Sequence, residues 1–220
     1  MQLVDSHAHL DHLDDLDGAL ERAKDTGVGK IITVGTTIAE SKNVVKLALL
    51  CSRPRRRQGF GGQAGLDKYT TGLEVYATVG IHPKDGKEDV EKLGVNESIH
   101  RLRKIAKASE KVVAIGECGL DYYSRDTGHE TSNKEKEFQR ELFEAQVKLA
   151  AELNLPLVVH CRNGWSEIFD LISKSIGSSH SRGSENQILK QVFDREFQKT
   201  SAQTESVEND REKVLFGSLD

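Results

Sequence analysis

Several things are scarce in this chain of 220 residues, and each scarcity excludes something. No apolar run approaches the ~20 residues a membrane helix needs, so the sequence predicts no span. The opening MQLVDSHAHL lacks the basic start and apolar centre of a secretory signal. Cysteine occurs three times (Cys51, Cys118, Cys161), an odd count without CxxC spacing, which argues against a disulfide framework. Excess charge is also missing: 31 basic against 35 acidic side chains leave a net charge of −4, which is not the footprint of a nucleic-acid-coating protein. Hydrophobic residues make up 36% and charged residues 30%, poor for a globular protein yet enough for a buried core. These features predict a soluble, cytoplasmic chain with no membrane partner.

What is present is unevenly spread. Residues 53–65, RPRRRQGFGGQAG, hold four arginines and four glycines with little that can pack. A solvated insertion between two elements is the simpler reading, and an RGG-like phosphate-gripping arm the alternative. No Lys-Ser or Lys-Thr follows the glycines, so they form no phosphate loop. From Gly177 onward apolar residues thin out and serines accumulate. There the pattern supports one helix around Gln187–Gln198 and a short strand at Val214–Phe216.

Between these regions β and α patterns alternate. Strand candidates are Leu3–Leu10, Lys30–Thr36, Val75–Pro83, Val112–Tyr122 and Pro156–Arg162. Leu13, Leu16, Leu20 and Ala23 share a helical face, as do Ile99, Leu102, Ile105 and Ala106. Phe138, Leu142, Ala145, Leu149 and Leu153 form the clearest amphipathic helix, and Pro156 follows it. This alternation predicts parallel strands under covering helices.

The chemistry-bearing residues cluster at the C-terminal ends of those strands. In Asp5-Ser6-His7-Ala8-His9, side chains alternate, so His7 and His9 project to one face roughly 6–7 Å apart. Two imidazoles so placed can converge on one metal, though packing or surface roles are open to them as well. Strand three ends in His82, strand four in Glu117, and strand five in His160. A carboxylate directly after VVAI is costly to bury unless a cation is near. Four strands each delivering His or Glu at the rim where barrel and open-sheet active sites lie is the informative coincidence. Cys118 and Cys161 follow such residues by one position and read as small packing side chains on the opposite face. His12, His100, His129 and His180 read as surface residues.

In that order and context, VDSHAHLD, VGIHP, IGECGLDYY and PLVVHCR resemble the TatD family of metal-dependent deoxyribonucleases. The resemblance covers roughly Gln2–Leu50 and Glu74–Ile176. It implies an α/β, TIM-barrel-like (β/α)8 metal-dependent hydrolase fold, with two divalent cations (Mg, Mn or Zn) as cofactors and DNA as substrate. It further implies that His7 and His9 bind the first metal, that Glu117 bridges both and that His160 binds the second. His82 would line the substrate site, Arg162 would contact a phosphate, and Asp121 would orient a ligand or bound water; a turn residue is the alternative for Asp121. His82, Glu117 and Asp121 are thus the expected catalytic residues.

Two departures from the family pattern stand out. The family's His-x-Phe-Ser-Gly segment corresponds here to KVLFGSLD, with Lys213 in the His position, and its later Asp-Pro has no counterpart because no proline follows Pro156. At roughly 250 residues for eight units, the family-like residues suffice for an incomplete barrel of about five to six βα units. The expected organisation is therefore a barrel portion over 1–176, with a low-complexity insertion at about 53–72, and a polar tail over 177–220. The expected function is hydrolysis of DNA phosphodiesters. The alternatives are a catalytically impaired truncated remnant, or a C–N hydrolase of amidohydrolase type; Glu117, where those enzymes often carry a modified lysine, speaks against the last.

Overall fold

The computed structural model describes residues 2–52, 73–123, 128 and 130–177. Five strands form one sheet in sequential order: β1 (Leu3–Ala8), β2 (Val28–Val34), β3 (Glu74–Val79), β4 (Val112–Asp121) and β5 (Leu157–Arg162). Every neighbouring pair is parallel. Helices α1 (Leu16–Asp25), α2 (Ile38–Cys51), α3 (Lys87–Leu93), α4 (Val95–Lys107), α5 (Asn133–Leu153) and α6 (Trp165–Gly177) lie in the connections or follow β5. Five parallel strands in sequential order with intervening helices are the expected α/β architecture, a curled half of a (β/α)8 barrel.

Local sequence explains where the helices begin. Asp15 caps α1 by accepting the Gly18 N–H at 3.0 Å, Thr37 caps α2 through Glu40 N–H at 3.1 Å, and Ser132 caps α5 through Glu135 N–H at 3.3 Å. The cap at Asp15 corrects one expectation. Leu13 precedes α1 and is 45% exposed, so the helix's apolar face starts at Leu16. Strands β1 to β4 end earlier than the expected runs, and β5 ends at Arg162 as expected. Leu10 turns into a one-turn 3-10 helix, Leu10–His12, and residues 80–83 leave β3 to build the rim. Helix α3 was not foreseen; its KEDVEKL buries only Val90.

The core lies between the sheet and the helices. It joins Val44, Ala48, Leu102, Leu142, Phe143 and Ile168 to strand residues such as Val75, Val79 and Val159. Cys118 and Cys161 are both buried in it, as packing side chains would be. No helix among the described residues is long and apolar enough to cross a membrane. The Arg-Gly stretch 53–65, the helix expected at 187–198, the strand expected at 214–216, and His129, His180 and Lys213 lie outside the described residues.

Candidate metal centre

The β4 strand reaches the site through two glycines. Gly116 and Gly119 have φ of +145° and +151°, values that L side chains rarely adopt. A Cβ on Gly116 would lie 2.4 Å from the Val158 carbonyl oxygen, and one on Gly119 would lie 1.8 Å from that of His160. Glycine at both positions lets β4 run hard against β5. The register then sets Gly119 beside His160 and Asp121 beside Arg162.

Glu117 sits at the centre, 5% exposed. Its Oε2 lies 3.7 Å from His7 Nε2 and its Oε1 lies 3.3 Å from His160 Nδ1. The His7 and His9 rings meet edge to face with centroids 5.2 Å apart, and those of His82 and His160 do so at 4.4 Å. Two groups of three potential ligand atoms result, each within 4.8 Å of one another: His7, His9 and Glu117, and His82, Glu117 and His160. The structure thus brings together all five His and Glu residues that the strand ends were expected to deliver.

Around this core stand the groups that orient it. Asp121 Oδ2 lies 3.3 Å from His160 Nε2, and Arg162 Nη1 lies 3.6 Å from the same oxygen. Asp121 Oδ1 accepts the Tyr123 N–H at 3.1 Å. With Nε2 held by Asp121, His160 turns its Nδ1 toward Glu117. Asp85 holds His82 in the same manner, its carboxylate 3.0 Å from Nδ1, and the backbone N–H groups of Lys84 and Asp85 crowd the same nitrogen at 3.3 and 3.2 Å. Whichever way its proton points, Nδ1 is committed to that loop, and Nε2 is left for the centre.

Electrostatics follow from this packing. Burial pushes the Glu117 carboxyl up, but the hydrogen bond from His160 and the charges of His82 and His7 outweigh it and hold the group below the usual glutamate range. Asp121 is likewise held low: burial opposes ionisation, while His160, the Tyr123 N–H and Arg162 favour it. Burial pulls His160 down, yet Asp121 and Glu117 together push it up to about 9. The site therefore pairs two carboxylates with a ring that strongly attracts positive charge to its nitrogens.

The donor set fits divalent metal. His7 Nδ1 and Nε2 and His9 Nδ1 are buried without a hydrogen-bond partner. Orphaned buried nitrogens of this kind are costly unless a ligand takes their lone pairs. Imidazole and carboxylate are the usual donors for catalytic zinc, manganese or iron, and the second carboxylate that orients a ligating histidine is a common feature of such centres.

Sequence reasoning missed Asp85 and two buried glutamines of α5. A detectable signal for Asp85 was its place three residues after His82. Gln139 and Gln146 carried only the hint of polar residues, seven apart, on an otherwise apolar helix face. His12, expected at the surface, has a side chain 56% exposed but packs its ring against His9, and His100 is exposed.

Comparison with known proteins identifies the family. The family model described as "TatD related DNase" matches residues 4–201. The chain is 30% identical over 178 residues to an uncharacterized metal-dependent hydrolase, YabD, of Bacillus subtilis, covering 78% of this chain and 55% of that protein. It is 31% identical over 187 residues to deoxyribonuclease Tat-D of Schizosaccharomyces pombe, covering 80% of this chain and 49% of the other. With a 3'-5' ssDNA/RNA exonuclease TatD of Pantoea vagans it shares 34% identity, over 65% of this chain and 42% of that one. Among solved structures, a TatD family hydrolase from Entamoeba histolytica superimposes with a TM-score of 0.60 at 25% identity, over 81% of this chain and 55% of the other. A TatD homologue from Escherichia coli gives 0.57 at 25% identity, over 82% and 61%. The chain spans about half the length of the curated relatives it matches. With the family model matching most of its length and these relatives covering much of it, the chain belongs to the TatD-related family of metal-dependent hydrolases.

Proposed function

We propose that the chain hydrolyses phosphodiester bonds in DNA through a dinuclear divalent-metal centre. In this reading His7 and His9 hold one ion, His160 holds the other, and Glu117 bridges them. The orientation of Glu117 is the observation that supports it most. One carboxylate oxygen faces the β1 imidazoles and the other faces His160, so a single buried side chain addresses two donor groups at once. Relatives named deoxyribonuclease and 3'-5' ssDNA/RNA exonuclease support DNA as the substrate class.

Ions bound there would supply neutralisation of the phosphodiester charge and activation of water at neutral pH. The chain's own residues do the rest. Asp121 fixes the His160 ring so that Nδ1 points inward. His82, anchored by Asp85, presents Nε2 toward the reacting group, where it binds a phosphate oxygen or the departing one. Arg162, with its guanidinium 3.6 Å from Asp121 and over the Tyr123 ring at 6.0 Å from the centroid, meets a substrate phosphate from the rim.

The test is cleavage of end-labelled single- and double-stranded DNA oligonucleotides by the purified chain with Mg, Mn or Zn. Metal-dependent products that disappear in Glu117→Gln are expected. Metal bound at the centre with no cleavage of either DNA, or cleavage equal in Glu117→Gln, would overturn the reading.

A further inference from the structure

A second set of metal-ligating groups stands on the same rim, outside the centre described above. Asp11 and His12 come from the 3-10 turn after β1, and Glu40 comes from the first turn of α2, after β2. His12 Nε2 lies 3.9 Å from Asp11 Oδ2 and 3.6 Å from Glu40 Oε1. One ligand atom from each of the three falls within 4.8 Å of the others.

The positions of these groups are fixed by their own elements. Glu40 uses its other oxygen, Oε2, to accept the Thr36 N–H at 3.2 Å and the Thr36 hydroxyl, so Oε1 is left facing His12. The His12 ring stacks on His9, with centroids 5.3 Å apart and planes 13° apart. Asp11 is the decisive member. Its side chain is only 9% exposed, yet its Oδ1 has no hydrogen-bond partner. A protonated His12 would satisfy the carboxylate oxygens it faces and still leave Asp11 Oδ1 buried and unserved, a costly state for a carboxylate. A cation held by Asp11 through both oxygens, with His12 and Glu40, would serve both aspartate oxygens and the imidazole lone pair together. Asp11 also lines an adjoining cavity of about 430 Å³, together with Asp14, Asp15, Asp17 and Lys46, and Asp15 there pairs with Arg22 at 3.3 Å.

We propose that Asp11, His12 and Glu40 form a third divalent-cation site, distinct from the ligands centred on Glu117. One imidazole and two carboxylates select a first-row ion such as manganese or zinc. Three protein donors leave coordination positions open on the side where His12 is exposed, and water or an anion fills them. The proposal does not rest on the phosphodiesterase reading, because its readout is metal content.

The experiment is calorimetric titration of the metal-stripped full chain with MnCl2 and, separately, ZnCl2. The wild type is expected to bind one equivalent more than His12→Ala, a substitution at an exposed ring that leaves the fold intact. In a Glu117→Ala background one equivalent should persist, and adding His12→Ala should remove it or weaken it at least about tenfold. Substoichiometric Mn in that background should broaden the His12 ring-proton signals first. The site is refuted by equal stoichiometry and affinity in wild type and His12→Ala, or by His12 signals untouched at one equivalent of Mn. Binding only at millimolar Mn, as an adventitious ion would show, refutes it as well.

Discussion

Gln139 holds both backbone groups of Asp121. Its Oε1 accepts the Asp121 N–H at 2.8 Å, and its Nε2 donates to the Asp121 carbonyl at 3.0 Å. Seven residues later on α5, Gln146 grips Ile81 in the same way, at 2.8 and 3.0 Å. Both glutamines are fully buried. One helix thus clamps the strand ends that carry Asp121 and His82.

Truncating Gln146 leaves the Ile81 N–H and carbonyl buried without partners, and truncating Gln139 leaves the Asp121 N–H so, while the Asp121 carbonyl keeps the Thr131 hydroxyl at 3.2 Å. Gln139→Ala and Gln146→Ala should each cost about 2–3 kcal/mol of stability, the range expected for unsatisfied buried groups. Urea denaturation gives the number directly. A loss below ~0.5 kcal/mol in both would mean that water replaces the amides.

The fold and the centre were legible in the sequence for different reasons. Parallel strands under covering helices followed from apolar runs spaced by helical periodicity, and the strand-end His and Glu residues stood out because each interrupts or closes such a run. Less visible were features that depend on distant neighbours. Leu13 matched the helical period but lies before the Asp15 cap, and α3 is too polar to show a face. In one dimension Gln139 and Gln146 are only two polar residues, seven apart, on a helix face that is otherwise apolar. They become meaningful only once α5 is laid across β3 and β4. The Asp11–His12–Glu40 group joins two βα connections, a relation that no local spacing encodes.

Because one carboxylate addresses both donor groups, Glu117 should matter more for metal than any single histidine. Glu117→Ala is expected to remove two equivalents of Mn or Zn in calorimetry, whereas His7→Ala or His160→Ala should weaken one. Asp121→Asn keeps the shape but alters the partner of His160, and a loss of about 10–100-fold in affinity is expected, typical of groups that orient a ligand. If Glu117→Ala bound both ions as the wild type does, the bridging role would be wrong.

Acid sensitivity should have a component outside the His and Glu cluster. Arg140 on α5 donates to Glu167 on α6, and Tyr122 Oη donates to the same carboxylate at 3.0 Å. The Arg140 hydrogen bond is the main reason Glu167 sits below the usual glutamate range, with burial opposing it. A depressed carboxyl contributes stability that is fully present above its unfolded pKa, ~4.3, and is lost as the pH falls through the folded value. The two side chains are 35% and 37% exposed, so solvent screening keeps the effect small. Wild type should therefore exceed Glu167→Gln in melting temperature at pH ~6, and the gap should close by pH ~3. A gap that widens toward acid would reverse the assignment.

The edges of the sheet govern the last expectation. Among the described residues, β1 pairs only with β2 and β5 only with β4, so each presents a row of backbone groups on its other side. On β1, Leu3 and Val4 are 52% and 56% exposed, which puts apolar side chains beside an available ladder. Such an edge is a template for pairing with another chain, and natural proteins blunt it with charge. The 220-residue chain should elute as oligomers, or bind a hydrophobic dye, at micromolar concentration. Val4→Lys should shift the elution toward monomer while preserving the melting transition, since it adds charge at an exposed position. A monodisperse wild-type monomer that melts sharply and binds no dye would show that residues outside those described cover the edge.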